Sequence, residues 1–141
     1  LALTGDYASV AGGLSAAHEE SRQAAIEGLR NWLPLNQGNG ELLAKAIQDG
    51  FQTDEAEIVL RLLWGYTEQD AMNRATSDQL VGWLDHPSLT IRELTFYHIY
   101  QLTGTKYDYL PMRSAVQRRA AIARWEERVN MIGALVGQPI D

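Results

Sequence analysis

The sequence predicts an all-α fold: a right-handed α-α superhelix of about three helix pairs with a C-terminal capping helix. Apolar residues recur at spacings of three and four along most of the chain, which is the period of an amphipathic helix. No stretch of four or more residues shows the β-branched alternation of a half-buried strand. Sets of apolar residues also recur at intervals of 34 and 36 residues, as in a solenoid of stacked helix pairs.

Seven helices follow from the apolar spacing and from the residues that start and stop helices. Their predicted spans are 6–14, 18–33, 40–50, 54–66, 68–84, 88–103 and 114–135. The fifth span contains a break near Thr76–Ser77. N-caps are predicted at Thr53, Ser77, Ser88 and Ser114, and helix-ending glycines at Gly38, Gly50 and Gly104. The longest connection, "TGTKYDYLPMR", spans residues 103–113.

The repeat becomes visible when the helices of each predicted pair are aligned on their apolar positions. The aligned sets in the second helices are Ile26, Leu29 and Leu33; Leu60, Leu63 and Thr67; and Phe96, Ile99 and Thr103. Because one pair cannot bury its own apolar face, we expect neighbouring pairs to stack. The rival explanation is chance, since any two amphipathic helices align to some degree.

Residues 83–104, "WLDHPSLTIRELTFYHIYQLTG", join a helix end, a tight turn, an early arginine at Arg92 and a Leu-Thr-Gly ending. This segment resembles a unit of the HEAT or armadillo-like helical repeats, and residues 13–33 are a fainter copy with Arg22 in the corresponding place. The segment from Thr103 to Val129 also resembles a tail found in uncharacterised bacterial proteins. The resemblance implies a scaffold or spacer module of a larger bacterial protein that binds other macromolecules. It implies no catalytic residues.

Composition sets the outer limits of the functional interpretation. With 141 residues, 45% of them hydrophobic and 21% charged, the chain is predicted to form one globular domain over residues 1–141, as a fragment of a longer protein. No stretch reaches the roughly 20 apolar residues of a membrane span, so we expect no membrane insertion by this segment. Without cysteine the chain has no disulfide or thiol nucleophile, and its compartment stays open.

Charge is divided unevenly along the chain. Residues 1–85 hold 5 Lys and Arg against 13 Asp and Glu, whereas residues 86–141 hold 7 against 5. A nucleic-acid-binding domain normally has a domain-wide basic surface, which this chain lacks. Nucleic acid is therefore not expected as a partner, whereas the helical-repeat resemblance implies a protein partner.

The histidines do not form a constellation that predicts an enzyme or a metal site. A helical wheel turns His98 toward the core, where it is expected to be a hydrogen-bonded core residue; His86 belongs to a turn and His18 to a helix start. An enzyme built on His98 with Tyr97 or Glu93 is disfavoured because these side chains diverge around the helix. We predict no catalytic residues, no cofactor and no metal.

A candidate interaction surface is predicted from exposed aromatic and arginine positions. Its residues are Arg92, Tyr97, Tyr100, Tyr107, Tyr109, Arg113, Arg124 and Arg128. Arg92 either pairs with the preceding turn, Asp85 or a carbonyl, or anchors an acidic ligand. Tyr97 and Tyr100 are either covered by the following loop or last helix, or free to bind a partner.

The last helix has two distinct sides. Its docking side is predicted to contain Arg118, Ile122, Trp125, Val129 and Ile132, and its other side Arg113, Gln117, Arg124 and Arg128. The basic side is either a solvated face or a contact for phosphates or an acidic protein segment. An alternative function is therefore a small-ligand or phosphate site between loop 104–113 and this arginine face. The apolar C-terminal tail, with Met131, Leu135, Val136 and Ile140, either packs down as a closing cap, which we favour, or is an edge where a longer protein continues.

Overall fold

A computed structural model describes residues 13–15 and 19–138, and within them every regular element is helical. The all-α prediction is confirmed for these residues. Their α-helices are α1 (Glu19–Trp32), α2 (Asn39–Gly50), α3 (Thr53–Trp64), α4 (Glu68–Ala71), α5 (Arg74–Trp83), α6 (Leu89–Thr103) and α7 (Ala115–Ile132). Short 3₁₀ turns lie at Gly13–Ser15 and Leu33–Leu35. The predicted helix 6–14 falls almost entirely outside the described residues, as does His18.

The chain divides into two compact units, residues 1–65 and 66–141. In the first unit, α3 packs against both α1 and α2. The helices bury one apolar stripe each, contributed by Ile26, Leu29, Leu43, Ile47, Val59, Leu62 and Leu63. Asn39 Nδ2 donates to the carbonyl of Trp32 over 2.8 Å and so ties the start of α2 to the end of α1. Residues of this size each stabilise a fold by about 1.5–3 kcal/mol when fully buried.

Gly65 ends α3 in a conformation that requires glycine. Its φ is +91°, in the region that residues with a Cβ rarely adopt. The guanidinium of Arg30, whose Nε donates to the carbonyl of Leu63 over 3.3 Å, occupies the space a Cβ at Gly65 would need. The helix therefore stops at Trp64, two residues before the predicted end.

In the second unit, α5 contacts α4, α6 and α7. The predicted break in the fifth span is present but lies earlier than Thr76–Ser77: the chain turns at Met72, and Asn73 caps α5 through its side chain, which accepts from the backbone of Thr76 over 3.0 Å. Asn is as good an N-cap as Ser. Ser77 lies inside the helix and is fully buried.

Ser77 anchors the C-terminal tail instead of capping a helix. Its Oγ donates to the carbonyl of Ala71 over 3.1 Å and accepts from the backbone of Leu135 over 2.9 Å. The backbone of Val136 donates to the same Ala71 carbonyl over 3.1 Å. Because Leu135 is also fully buried, the expectation that the apolar tail packs down as a cap is confirmed for these residues.

The residues that begin and end α6 and α7 are those predicted from the sequence, except at the end of α7. Ser88 and Ser114 cap these helices, and Gly104 ends α6 in the left-handed conformation, all as predicted. However, α7 ends at Ile132, three residues before the predicted end, with Gly133 as its cap in the same left-handed conformation. The right-handed superhelix and the repeat remain predictions; Thr67, one of the aligned positions, is the N-cap of α4 and lies outside α3.

Candidate interaction surface

Arg92 is buried and holds two segments of backbone together. Only 9% of its surface is exposed. Its Nε donates to the carbonyl of Pro111 over 2.9 Å, and its Nη1 to those of His86 and Pro87 over 2.8 and 2.9 Å. The expectation of a turn-carbonyl partner is confirmed. Arg92 therefore clamps the turn before α6 to the loop after it, and this side chain is inside the fold and not on a docking surface.

The acid expected for Arg92 is bound by a different arginine. Arg118, on α7, donates from Nη2 to Asp85 Oδ1 over 3.4 Å and from Nη1 to the carbonyl of Arg113 over 2.6 Å. Burial, and then the positive charge of Arg118, lower the pKa of Arg92. The Arg92 guanidinium nevertheless keeps its charge at neutral pH, because the ordinary pKa of arginine is far above 7. The prediction that Asp85 pairs with Arg92 is therefore wrong, because Asp85 pairs with Arg118.

Tyr109 completes this buried group. It is 1% exposed, its Oη donates to the carbonyl of Leu84 over 2.6 Å, and its ring lies 4.9 Å from that of Phe96. Burial raises the pKa of the Tyr109 hydroxyl above its ordinary value. We call Asp85, Arg92, Tyr109 and Arg118 the Arg92 cluster; it fixes loop 104–113 to the body of the second unit.

Tyr97 and Tyr100 are partly covered. The Tyr97 ring meets the edge of the buried His98 ring at 5.3 Å. Tyr100 stacks on Phe96 at 6.3 Å, and Lys106 Nζ lies 5.0 Å from its ring centre. Tyr100 nevertheless remains 40% exposed. The loop therefore covers one side of the Tyr100 ring and leaves the rest to solvent.

A second group of aromatic and arginine residues faces outward at the tip of the same loop. Tyr107 and Asp108 have φ values of +49° and +57°, which residues other than glycine rarely adopt. The Tyr107 ring meets the buried ring of Trp125 at 4.6 Å in a T-shaped contact. Arg128 donates from Nη1 to Tyr107 Oη over 3.4 Å and from Nε to the carbonyl of Leu135 over 3.0 Å. This backbone turn therefore places Tyr107 against α7.

Beside this contact lies a groove of about 300 Å³. It is lined by Tyr107, Arg124, Glu127, Arg128, Met131 and Ile132, and we call it the Arg124 groove. Met131 and Ile132 are 80% and 47% exposed. Arg124 Nη1 lies 3.2 Å from Asp108 Oδ2. The groove thus combines exposed apolar side chains with two guanidinium groups.

Of the predicted surface residues, the structure brings Tyr107, Arg124 and Arg128 together at this groove. Arg113 lies nearby, with its Nη1 3.3 Å from the carbonyl of Asp108. The predictions that Met131 packs down with the C-terminal tail and that Ile132 lies on the docking side of α7 are both wrong, because these side chains are exposed. The sequence signal for Met131 is its spacing: it follows Arg124 by seven residues and Arg128 by three, which places it on the same face of the helix.

Other features of the described residues do not converge on a reactive centre. His98 is buried between the rings of Tyr66 and Tyr97, and His86 Nδ1 accepts from the backbone of Ser88 over 3.0 Å. Within the described ranges no three His, Asp or Glu side chains group as metal ligands, and no helix there could cross a membrane. A wider hollow of about 810 Å³ is lined by Glu68, Gln69, Met72, Asn73 and Gln138.

Comparisons with protein-family models, with curated proteins and with solved structures found no match to this sequence.

Proposed function

We propose that this chain is a non-catalytic module, a scaffold or spacer within a larger protein, that binds another protein at the Arg124 groove. The observation that carries the proposal is the exposure of Met131 and Ile132 beside Arg124, Arg128 and Tyr107 in one concave site. Tyrosine, methionine and arginine are the residue types enriched where proteins contact each other. Methionine also adapts its shape to a partner at low cost.

The Arg92 cluster supports this proposal indirectly, because it gives the groove a fixed wall. Arg92 and Tyr109 hold the part of the loop that follows Tyr107, through hydrogen bonds to the carbonyls of Pro111 and Leu84. A wall held in place before binding loses little conformational entropy when a partner docks. The proposed contact surface therefore differs from the predicted one. It keeps Tyr107, Arg124 and Arg128, adds Glu127, Met131 and Ile132, and leaves out Arg92, Tyr97, Tyr100, Tyr109 and Arg113.

The imidazoles of the described residues support a non-catalytic role. His98 packs between two tyrosine rings, and His86 uses Nδ1 to fix a turn. A general base has to reach a substrate proton within hydrogen-bond distance, and a buried ring at 2% exposure does not offer that access.

Position-specific crosslinking tests the proposal. A photoreactive residue replaces Met131 in the full chain inside its native cells, and the matched control replaces Val116, which is 83% exposed at the other end of the same helix. We expect one discrete crosslinked protein from position 131 and none from position 116. Equal products at both positions, or none at 131, would contradict the proposal.

A second candidate function, the binding of a small anionic ligand, is favoured by one observation. The groove of about 300 Å³ contains two guanidinium groups and is as large as the smaller ligand pockets. Titration with inorganic phosphate, followed by the thermal midpoint of the full chain, tests it. A rise in the midpoint that Arg124→Gln and Arg128→Gln remove would favour this function over protein binding.

A further inference from the structure

We infer that the Arg124 groove recognises a protein segment in which an apolar side chain stands beside a carboxylate, and that this carboxylate replaces Asp108 on Arg124. The inference rests on the proposed function and specifies the chemistry of its partner. It follows from the ion pair at the rim, the apolar floor of the groove and the backbone that presents Asp108.

The ion pair between Asp108 and Arg124 is poorly shielded. The two side chains are 84% and 59% exposed, and one contact of 3.2 Å joins them. Pairs so open to water contribute little to stability, because water and salt screen the attraction and both side chains lose freedom. Asp108 can therefore leave Arg124 at little cost, and a carboxylate from a partner can take the same place.

The loop fixes the backbone of Asp108, so only its exposed side chain has to turn away from Arg124 when a partner carboxylate binds. Tyr107 and Asp108 both have positive φ, and Arg113 Nη1 donates to the carbonyl of Asp108 over 3.3 Å. Strained residues of this kind persist only where the surrounding structure holds them, and they concentrate at ligand clamps. Asp108 in this position resembles the carboxylate that a bound segment would supply.

The charges around the groove select a partner of negative sign. The lining residues include the guanidinium groups of Arg124 and Arg128 and the carboxylate of Glu127. When Asp108 leaves, two positive groups face one negative group, so a carboxylate is attracted and an ammonium group is not. Arg128 also donates from Nε to the carbonyl of Leu135, and this hydrogen bond holds the guanidinium group beside the groove.

The apolar part of the groove sets the second requirement. Met131 and Ile132 expose carbon and sulfur beside the Tyr107 ring, and their burial by a partner is favourable in proportion to the area covered. A segment with acidic residues alone would leave this area in water. The recognised unit is therefore an apolar side chain within one helical turn of an Asp or Glu.

Selection from a displayed library of short random peptides on the full chain tests the inference. We expect the enriched peptides to share an apolar residue within four positions of an acidic one. The best synthetic peptide is then titrated by fluorescence anisotropy against the wild type, Arg124→Gln and Asp108→Asn. Asn tolerates positive φ as Asp does, so the second variant removes the competing charge while keeping the turn.

We expect Arg124→Gln to weaken binding about fivefold, the usual limit for one exposed ion pair. Asp108→Asn is expected to strengthen binding, because no internal carboxylate competes. The matched control is Arg119→Gln, on the same helix but paired with Glu126 and outside the groove. It should bind as the wild type does. If Asp108→Asn folds poorly, Asp108→Gly provides the same test, since glycine adopts this φ freely.

Enriched peptides without acidic residues, or an unchanged affinity in Arg124→Gln, would overturn the inference. A second copy of this chain is the other candidate occupant; concentration-dependent dimerisation that Arg124→Gln abolishes would also overturn it. If position 131 crosslinks a partner while the peptide results are negative, the proposed function stands and only this inference falls. If crosslinking fails as well, both fall.

Discussion

The Arg92 cluster and the Arg124 groove are built from the same residue types around the same loop, yet they differ in the burial and the hydrogen-bond partners of their polar groups. In the Arg92 cluster, guanidinium and hydroxyl groups are buried and donate to backbone carbonyls. At the groove, the Arg124 side chain is more than half exposed and contacts one exposed carboxylate, that of Asp108. Arginine next to tyrosine therefore does not by itself indicate a binding surface. What separates the two is whether the fold has already used their hydrogen-bonding capacity.

Removing Arg92 and Arg124 one at a time should give the largest difference in stability between the Arg92 cluster and the Arg124 groove. Arg92→Ala leaves the carbonyls of His86, Pro87 and Pro111 without their donor in a buried site, so we expect a loss of about 3 kcal/mol in the free energy of unfolding. Arg124→Ala should change it by less than about 0.5 kcal/mol. Urea denaturation measures both. Equal losses would mean that the clamp and the groove are not energetically distinct.

Tyr109→Phe tests the second member of the cluster. It keeps the ring but leaves the Leu84 carbonyl unpaired, which is expected to cost about 1–2 kcal/mol. The matched control Tyr100→Phe removes a hydroxyl from a ring that is 40% exposed and should be neutral within about 0.5 kcal/mol. A control that loses as much as Tyr109→Phe would remove the distinction between buried and exposed tyrosine.

The raised pKa of Tyr109 gives the same variant a pH signature. The unfolded chain releases the phenolic proton near pH 10, as a free tyrosine does, while the folded chain retains it. The stabilisation is fully present below about pH 10 and is lost as the pH rises toward the raised value. Tyr109→Phe should therefore lose less stability than the wild type between neutral and strongly alkaline pH. Parallel curves from urea titrations across that range would contradict this.

The sequence predicts well those features that depend on neighbours along one helix. The inward side of α6 at His98, the buried stripe of α7 at Ile122, Trp125 and Val129, and the caps at Ser88 and Ser114 all follow from local periodicity and capping chemistry. The misplaced break in the fifth span has a local cause too: Asn73 and Ser77 are both acceptable caps, and burial of Ser77 under the tail decides between them.

The sequence does not predict pairings between distant residues. Asp85 is as close in sequence to Arg92 as a turn partner should be, yet it is 33 positions from the arginine that binds it. The groove depends on a positive φ at Tyr107. Tyrosine rarely adopts this conformation, so no local sequence pattern predicts it there. Burial and tertiary contacts, and not composition, therefore select which predicted surface residues remain available.

Tyr100 lies between the two regions, since it touches Phe96 of the buried side and Lys106 of the exposed loop. Tyr100→Ala removes one stacked ring contact and a partly exposed surface, so we expect a loss of about 1 kcal/mol, less than for Tyr109→Phe and its unpaired carbonyl. Partner crosslinking at position 131 should persist in this variant, because Tyr100 does not line the groove. Loss of crosslinking with unchanged stability would extend the contact surface to Tyr100 and Tyr97.

The smallest stability effect is expected for Asp108→Asn. If the ion pair with Arg124 is as weak as its exposure indicates, the free energy of unfolding changes by less than about 0.5 kcal/mol, and added salt changes the wild type and the variant equally. A larger, salt-sensitive loss would show that the pair stabilises the loop as the Arg92 cluster does. Arg124 would then be a structural residue, and the Arg124 groove would differ from the Arg92 cluster only in the size of its contribution to stability. A small effect leaves Arg124 available to a partner, because the fold does not depend on the contact it now makes.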